Sequence, residues 1–68
     1  MKWTPERIKA LRNSFGDTQE EFAVRCRCAL PTIQHWEQGK GEPLGTATLA
    51  LEYLEIQATD LEREKQPA

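Results

Sequence analysis

The chain has 68 residues, of which 38% are hydrophobic and 29% charged, and its formal net charge is −2. This length allows one domain with a thin core, and the composition is that of a soluble globular chain rather than a disordered or membrane-spanning one. No apolar run approaches the roughly 18 residues of a membrane span. Residues 1–6 lack the apolar stretch of a signal peptide, and two cysteines are too few for a disulfide scaffold. We therefore expect a single domain over residues 1–68, located in the cytoplasm.

The charge is distributed unevenly along the chain. Residues 1–40 hold seven basic and five acidic side chains, for a charge of +2, whereas residues 41–68 hold two basic and six acidic ones, for −4. If the chain contacts phosphates, only its front half can do so. An ordinary solvated surface would show the same distribution.

The first helix is predicted from its start and its end. Thr4 is a good cap, and Pro5 fits the first helical position. Trp3 and Ile8 occupy the two positions of a hydrophobic staple. Gly16 predicts the end of this helix near residue 14 or 15.

The second and third helices are predicted to follow each other closely. Thr18 and Glu21 form a capping box, and the second helix is expected to end around residue 25 or 26. After about three residues, the third helix is expected to begin at Leu30 or Pro31 and to end near Gln38. A tight connection between two short helices is typical of a helix-turn-helix unit.

The fourth helix is predicted from about Thr46 to Glu55, after a loop at residues 39–43. It is apolar over more than one face. A short last helix is expected at residues 59–62, and a frayed polar tail from about residue 62. The sequence therefore predicts an all-α fold of four to five short helices.

Two motifs stand at a fixed spacing. They are Gln19-Glu20-Glu21-Phe22-Ala23 and Thr32-Ile33-Gln34-His35-Trp36-Glu37-Gln38-Gly39, and Pro43 follows them. In this combination the sequence resembles the Cro/repressor (Xre-type) helix-turn-helix family over roughly residues 5–61. The resemblance implies a lambda-repressor-like domain without enzymatic activity, whose second helix lies across the DNA backbone and whose third enters the major groove.

The resemblance also implies roles for individual residues. The expected base-reading face consists of Leu30, Pro31, Gln34 and His35. The expected contacts to the DNA backbone are Thr18, Gln19, Arg27, Gln38 and Lys40. A structural ion pair, between the first helix and the end of the third, is expected to join Arg12 to Glu37.

The sequence departs from the family pattern at the turn and at the start of the third helix. Arg27 stands where the family usually has glycine, which predicts a strained backbone or an altered turn. Ala29 replaces the usual capping residue, whose side chain contributes about 1 kcal/mol. Leu30 and Pro31 cannot form bidentate hydrogen bonds to a base edge. The side chains left for such readout are Gln34, His35 and Gln19. We therefore expect more of the sequence specificity to come from DNA shape and phosphate contacts.

Cys26, Cys28 and His35 could indicate a metal site. A structural zinc ion needs about four ligands, and only these three soft candidates are present. Both cysteines occupy positions where the family has small apolar core residues, so we expect core packing and no metal or cofactor. His35 could contact a base or phosphate, act as a pH switch or be a plain surface residue. It lacks a recognisable nucleophile as a catalytic partner.

Three functional hypotheses follow. The first is a homodimeric repressor or autorepressor of a small phage or mobile-element operon, which binds a palindromic operator. Leu49, Tyr53 and Ile56 would then form a dimer interface, because one reading helix covers too little DNA for specificity; ordinary core is the alternative for these residues. The second is a protein-interaction module, antitoxin-like or a coregulator, whose partner is a toxin or another regulator. The third, a small enzyme or metal protein, has the least support.

Overall fold

The computed structural model describes residues 3–65, with side chains up to residue 61. It contains four helices: α1 (Pro5–Phe15), α2 (Gln19–Cys26), α3 (Leu30–Glu37) and α4 (Thr46–Lys65). The described residues include no strand, so the expected all-α class is confirmed. No helix among them is long and apolar enough to cross a membrane.

The first two helices begin where their capping residues predict. The Oγ1 of Thr4 accepts a hydrogen bond from the backbone N–H of Arg7 at 3.1 Å. At the start of α2, the Oγ1 of Thr18 accepts from the N–H of Glu21 at 3.2 Å, and the carboxylate of Glu21 accepts from the N–H of Thr18 at 2.8 Å. These bonds satisfy backbone donors that have no partner inside the helix. Gly16 ends α1 with a φ of 70°.

The turn between α2 and α3 contains one residue in the left-handed conformation, and this residue is an arginine rather than a glycine. Arg27 has a φ of 58°, and its N–H donates to the carbonyl of Val24 at 3.1 Å. The N–H of Cys28 donates to the carbonyl of Ala23 at 3.0 Å, which closes the end of α2. A left-handed conformation costs a residue other than glycine roughly 1–2 kcal/mol. Of the two outcomes expected at Arg27, the structure therefore shows the strained one.

The predicted break in the last helix is wrong. Instead of ending at Glu55 and restarting near residue 59, α4 continues for 20 residues. No glycine or proline interrupts residues 46–65, and the hydroxyl of Thr59 donates back to the carbonyl of Glu55 at 3.0 Å rather than capping a new helix. Ala58 is 5% exposed and holds this part of α4 on the core. Part of the expected tail therefore belongs to α4, and residues 66–68 lie outside the described residues.

The core lies where the four helices meet. Ile8, Phe22, Ile33 and Leu51, one from each helix, are fully buried. The other buried apolar residues are Trp3, Leu11, Ala23, Trp36, Leu54 and Ala58. Because α1, α2 and α4 pack around α3 or beside it, they fix the direction in which its outer face points.

Candidate nucleic-acid interface

The third helix has one buried side and one exposed side. Ile33, Trp36 and Glu37 are buried, at 0%, 8% and 6% exposure. On the opposite side Pro31, His35 and Gln38 are exposed, at the spacing of three and four residues that forms one strip of a helix. Leu30 and Gln34 are half-buried at one edge of this strip. We define Pro31, His35 and Gln38 as the outer strip of α3. The described residues leave this strip exposed, so it can contact a ligand as large as duplex DNA.

A shallow cleft of about 350 Å³ separates the starts of α2 and α3. Its lining residues are Thr18, Gln19, Glu20, Leu30 and Gln34. Two expected backbone contacts and two expected base contacts therefore share one cleft. The carboxylate of Glu20 is an unfavourable neighbour for phosphate, and the sequence analysis did not anticipate it there.

The buried carboxylate of Glu37 joins three helices. Arg12 donates to it twice, from Nε at 2.9 Å and from Nη2 at 3.1 Å. The side-chain amide of Gln19 donates a further hydrogen bond at 3.3 Å. Arg12 also donates to the carbonyl of Asp17 at 3.1 Å. The end of α3 is thereby tied to α1 and α2, and part of the Gln19 amide is already engaged within the protein.

Two further arginines are engaged in ion pairs that the sequence analysis missed. Arg7 donates to both oxygens of Glu55, at 2.8 and 2.7 Å, and lies 3.7 Å from the ring centroid of Trp3. Arg25 donates to both oxygens of Asp17, at 2.6 and 3.1 Å. The hydrogen bonds to these carboxylates raise the pKa of Arg7 and of Arg25. Both guanidinium groups are therefore less available to phosphate than the charge count suggests.

The remaining described cations of the front half are exposed. Lys9, Arg27 and Lys40 form no ion pair within residues 3–61. Lys40 follows two residues after Gln38, the last residue of the outer strip, and the N–H of Lys40 donates to the carbonyl of His35 at 3.0 Å. Of these cations, Lys40 is therefore the one that continues the outer strip.

Arg27 lies on the opposite edge of α3 from the cleft at Gln34. It lines a second cleft, on the side of α4, together with Thr32 and Trp36. Thr32 and Gln34 are two residues apart, which places them roughly 200° apart around the helix. Arg27 consequently lines different clefts from Thr18 and Gln19, two of the other residues that were expected to contact the DNA backbone.

The two cysteines pack partly against the core. Both are free and half-buried, and they line the cleft on the side of α4. Burial raises the pKa of Cys26 to about 12 and also raises the pKa of Cys28. Within the part of the chain that the structure describes, no three His, Cys, Asp or Glu side chains are grouped so that they could hold a metal ion.

An exposed apolar stripe runs along α4. Leu49, Tyr53 and Ile56 are 65%, 62% and 62% exposed, so they do not belong to the core of the single chain. They follow one another at spacings of four and three residues, which places them on one face of the helix. We refer to these three residues as the α4 stripe.

The comparison with protein families agrees with this architecture. The sequence model of the HTH_3 family, described as helix-turn-helix, matches residues 8–61. No curated protein matches the chain. The matched range contains α2, the turn and α3 in full, together with most of α1 and α4. The chain belongs to the HTH_3 family of Cro/C1-type (Xre) helix-turn-helix domains, a non-enzymatic DNA-binding family, as its motifs predict.

Proposed function

We propose that the chain is a homodimeric, sequence-specific transcriptional repressor that binds a palindromic operator through the major groove. The observation that carries the proposal is the exposure of the outer strip of α3, which lies beside the cleft at Gln34. The major groove of B-DNA is about 12 Å wide and admits one α-helix. The family's DNA-binding role supports this use of α3.

The proposed base contacts combine hydrogen bonding with apolar contact. Gln34 is suited to an adenine, because the N6 amino group of adenine donates to a glutamine amide oxygen and its N7 accepts from the amide nitrogen. His35 can donate to a purine N7 from its exposed ring. Pro31 and Leu30 offer apolar surface to a thymine methyl group. Because only two of the four can form hydrogen bonds, part of the specificity falls to DNA shape.

The proposed backbone contacts flank α3. Thr18 stands at the start of α2, where free backbone N–H groups favour a phosphate. Gln38 and Lys40 lie just beyond the other end of α3 and are exposed. Gln19 can share its amide between a phosphate and Glu37, to which it donates at 3.3 Å. Lys40 supplies a charge for counterion release on this surface.

A homodimer would place two copies of α3 in successive major grooves, about 34 Å apart. The α4 stripe is the surface that we assign to dimer formation, because three large apolar side chains are exposed there on one helix face. A helix-turn-helix domain of this kind fits an autorepressor of a small phage or mobile-element operon. Its DNA partner would place it in the cytoplasm.

The base contacts are tested by alanine variants. Gln34→Ala and His35→Ala should each weaken binding to the selected operator by about fivefold or more, since a good base contact contributes roughly 1–3 kcal/mol of discrimination. Binding to unrelated duplex DNA should change little. Asn13→Ala serves as the matched control, because Asn13 is polar and exposed on α1. If Asn13→Ala and both α3 variants bind the operator like the wild type, the proposed reading face is wrong.

A protein-interaction module of the same fold is the second candidate. It is favoured by the carboxylate of Glu20 in the cleft beside Gln34, since a negative charge there opposes contact with phosphate. Such a module would bind a toxin or another regulator and would show no salt-dependent binding to duplex DNA. Its affinity for the protein partner would survive the Gln34→Ala and His35→Ala substitutions.

A further inference from the structure

The surface beside Arg27 is formed largely by α4. Arg27 lines two adjoining clefts, which meet at Cys26, Arg27 and Ala50. The first of them contains Thr46 and Ala47, and the second contains Tyr53 and Gln57. Arg27 therefore borders α4 along its first three turns, next to the α4 stripe.

Arg27 carries a charge that no acidic side chain among residues 3–61 neutralises. It is exposed and forms no ion pair within residues 3–61, whereas the neighbouring Arg25 is paired with Asp17 at 2.6 Å. Its backbone is fixed in the left-handed turn at a φ of 58°. The Arg27 side chain therefore leaves the backbone at a defined position beside α4, and it is exposed.

A matching acid extends the α4 stripe. Asp60 follows Ile56 by four residues and Tyr53 by seven, so it lies on the same helix face. It is exposed and, like Arg27, forms no ion pair in the part of the chain whose side chains are described. The stripe therefore ends in a carboxylate.

In a two-fold dimer, Arg27 of one copy and Asp60 of the other would lie at the same height along the paired α4 helices. If two α4 helices cross antiparallel at Tyr53, Leu49 of one copy faces Ile56 of the other. Asp60 then lies seven residues, or about 10 Å, from the axis and opposite residue 46 of the partner. Arg27 borders α4 at that level, because it shares a cleft with Thr46.

We propose that Arg27 is a dimer contact, which pairs with Asp60 of the partner subunit across antiparallel α4 helices, rather than a contact to the DNA backbone. The occupant of the surface beside Arg27 is a second copy of this chain. The complementary charges and the self-complementary stripe support it, since each contact occurs twice in a two-fold dimer. The inference rests on the homodimer proposed above.

The test is a charge exchange, read as the dimer dissociation constant by sedimentation equilibrium without DNA. Arg27→Asp and Asp60→Arg should each weaken the dimer by about tenfold, because two symmetric pairs are lost and like charges face each other. Aspartate is suitable at position 27 since it tolerates the left-handed conformation. The double variant should recover to within about threefold of the wild type.

Lys9→Asp is the matched control, because it makes the same change of charge at an exposed residue of α1 and should leave the dimer unchanged. Far-UV circular dichroism checks that each variant is folded. If the Arg27→Asp variant dimerises as tightly as the wild type, the inference is overturned. A lower affinity of that variant for DNA would then make Arg27 a phosphate contact. That result would leave the homodimeric repressor intact, whereas a chain that is monomeric with and without operator DNA would overturn both.

Discussion

At the scale of single residues, the buried carboxylate of Glu37 is stabilised by the side chains of its neighbours. Its side chain is 3% exposed, and Arg12 and Gln19 supply its three hydrogen bonds. Removing one partner leaves a buried charge uncompensated, so Arg12→Met should lower the free energy of unfolding by about 3 kcal/mol. The double variant Arg12→Met with Glu37→Met should lose less, because both charges are gone.

Arg25→Met is the matched control for this prediction. Arg25 also forms a bidentate pair, with the carboxylate of Asp17, whose side chain is 8% exposed, but Arg25 itself is 37% exposed. Because water can take the place of an exposed guanidinium, the loss should be smaller than that of Arg12→Met, at about 1 kcal/mol. Urea denaturation followed by circular dichroism measures both variants. Equal losses for the two variants would show that the pair of Arg12 with Glu37 contributes no more than the pair of Arg25 with Asp17.

The half-buried thiol of Cys26 gives a second prediction. Its pKa is raised to about 12 by burial, so the folded chain holds its proton at pH 8. Because the thiolate is the reactive form, alkylation by iodoacetamide should be roughly a thousandfold slower than in urea. Intact-mass spectrometry over time measures the rate, and fast labelling of both cysteines in the folded chain would contradict the packing.

The same shift has a defined sign for stability. A thiol whose pKa is higher in the folded state holds its proton after the unfolded chain has lost it. The stabilisation from Cys26 is therefore fully present below about pH 9 and decreases as the pH rises towards 12. A Cys26→Ala variant should show a weaker loss of stability over this range.

Local chemistry explains which single-residue predictions succeed. Thr4 and Thr18 bond to backbone groups three residues away, so their caps can be predicted from the sequence. The pair between Arg7 and Glu55 joins residues 48 positions apart. It depends on how α1 and α4 pack, and no short-range pattern contains that information.

At the scale of secondary-structure elements, the start of α3 lacks the side-chain cap that α1 and α2 have. Ala29 has the extended backbone of a cap, with φ −78° and ψ 149°, but no side-chain hydrogen bond. Ala29→Ser should therefore raise the free energy of unfolding by about 1 kcal/mol. Ala10→Ser is the control, since serine inside a helix should instead cost about 0.5 kcal/mol. Thermal denaturation distinguishes the two, and a destabilised Ala29→Ser variant would contradict the assigned cap.

The continuous α4 shows where local patterns fail. Thr59-Asp60 looks like a helix start, because both side chains can bond to nearby backbone groups. The preceding Ala58 packs on the core at 5% exposure, and this burial favours one unbroken helix. Tertiary packing therefore overrides the local signal for a new helix at Thr59.

At the scale of the whole molecule, the position of each cation matters more for DNA binding than the number of cations. Arg7, Arg12 and Arg25 are paired inside the domain, so few cations remain for DNA. Lys40→Ala should weaken operator and unrelated DNA alike, and should reduce the slope of log affinity against log salt by about one per protomer. Lys9→Ala should leave the slope unchanged. Titrations at about 50 to 200 mM salt measure it, and an unchanged slope for Lys40→Ala would remove this residue from the interface.

The candidate site was predictable in part. The spacing of the family motifs predicts α3 and the exposed positions of Pro31 and His35. The position of Arg27 beside α4, and of Glu20 in the cleft with Gln34, depends on how α2 and α4 pack around the turn. A sequence motif describes the reading helix, whereas the surfaces on either side of it require the fold.

We propose above that a dimer of this chain reads a two-fold symmetric operator through α3. Selection of binding sites from a random duplex DNA pool by the purified protein tests this proposal. We expect an enriched palindrome with half-sites about one helical turn apart, and loss of the enrichment in the Gln34→Ala with His35→Ala double variant. Retention of duplex DNA without any enriched sequence, or an enriched site that the double variant still selects, would contradict it.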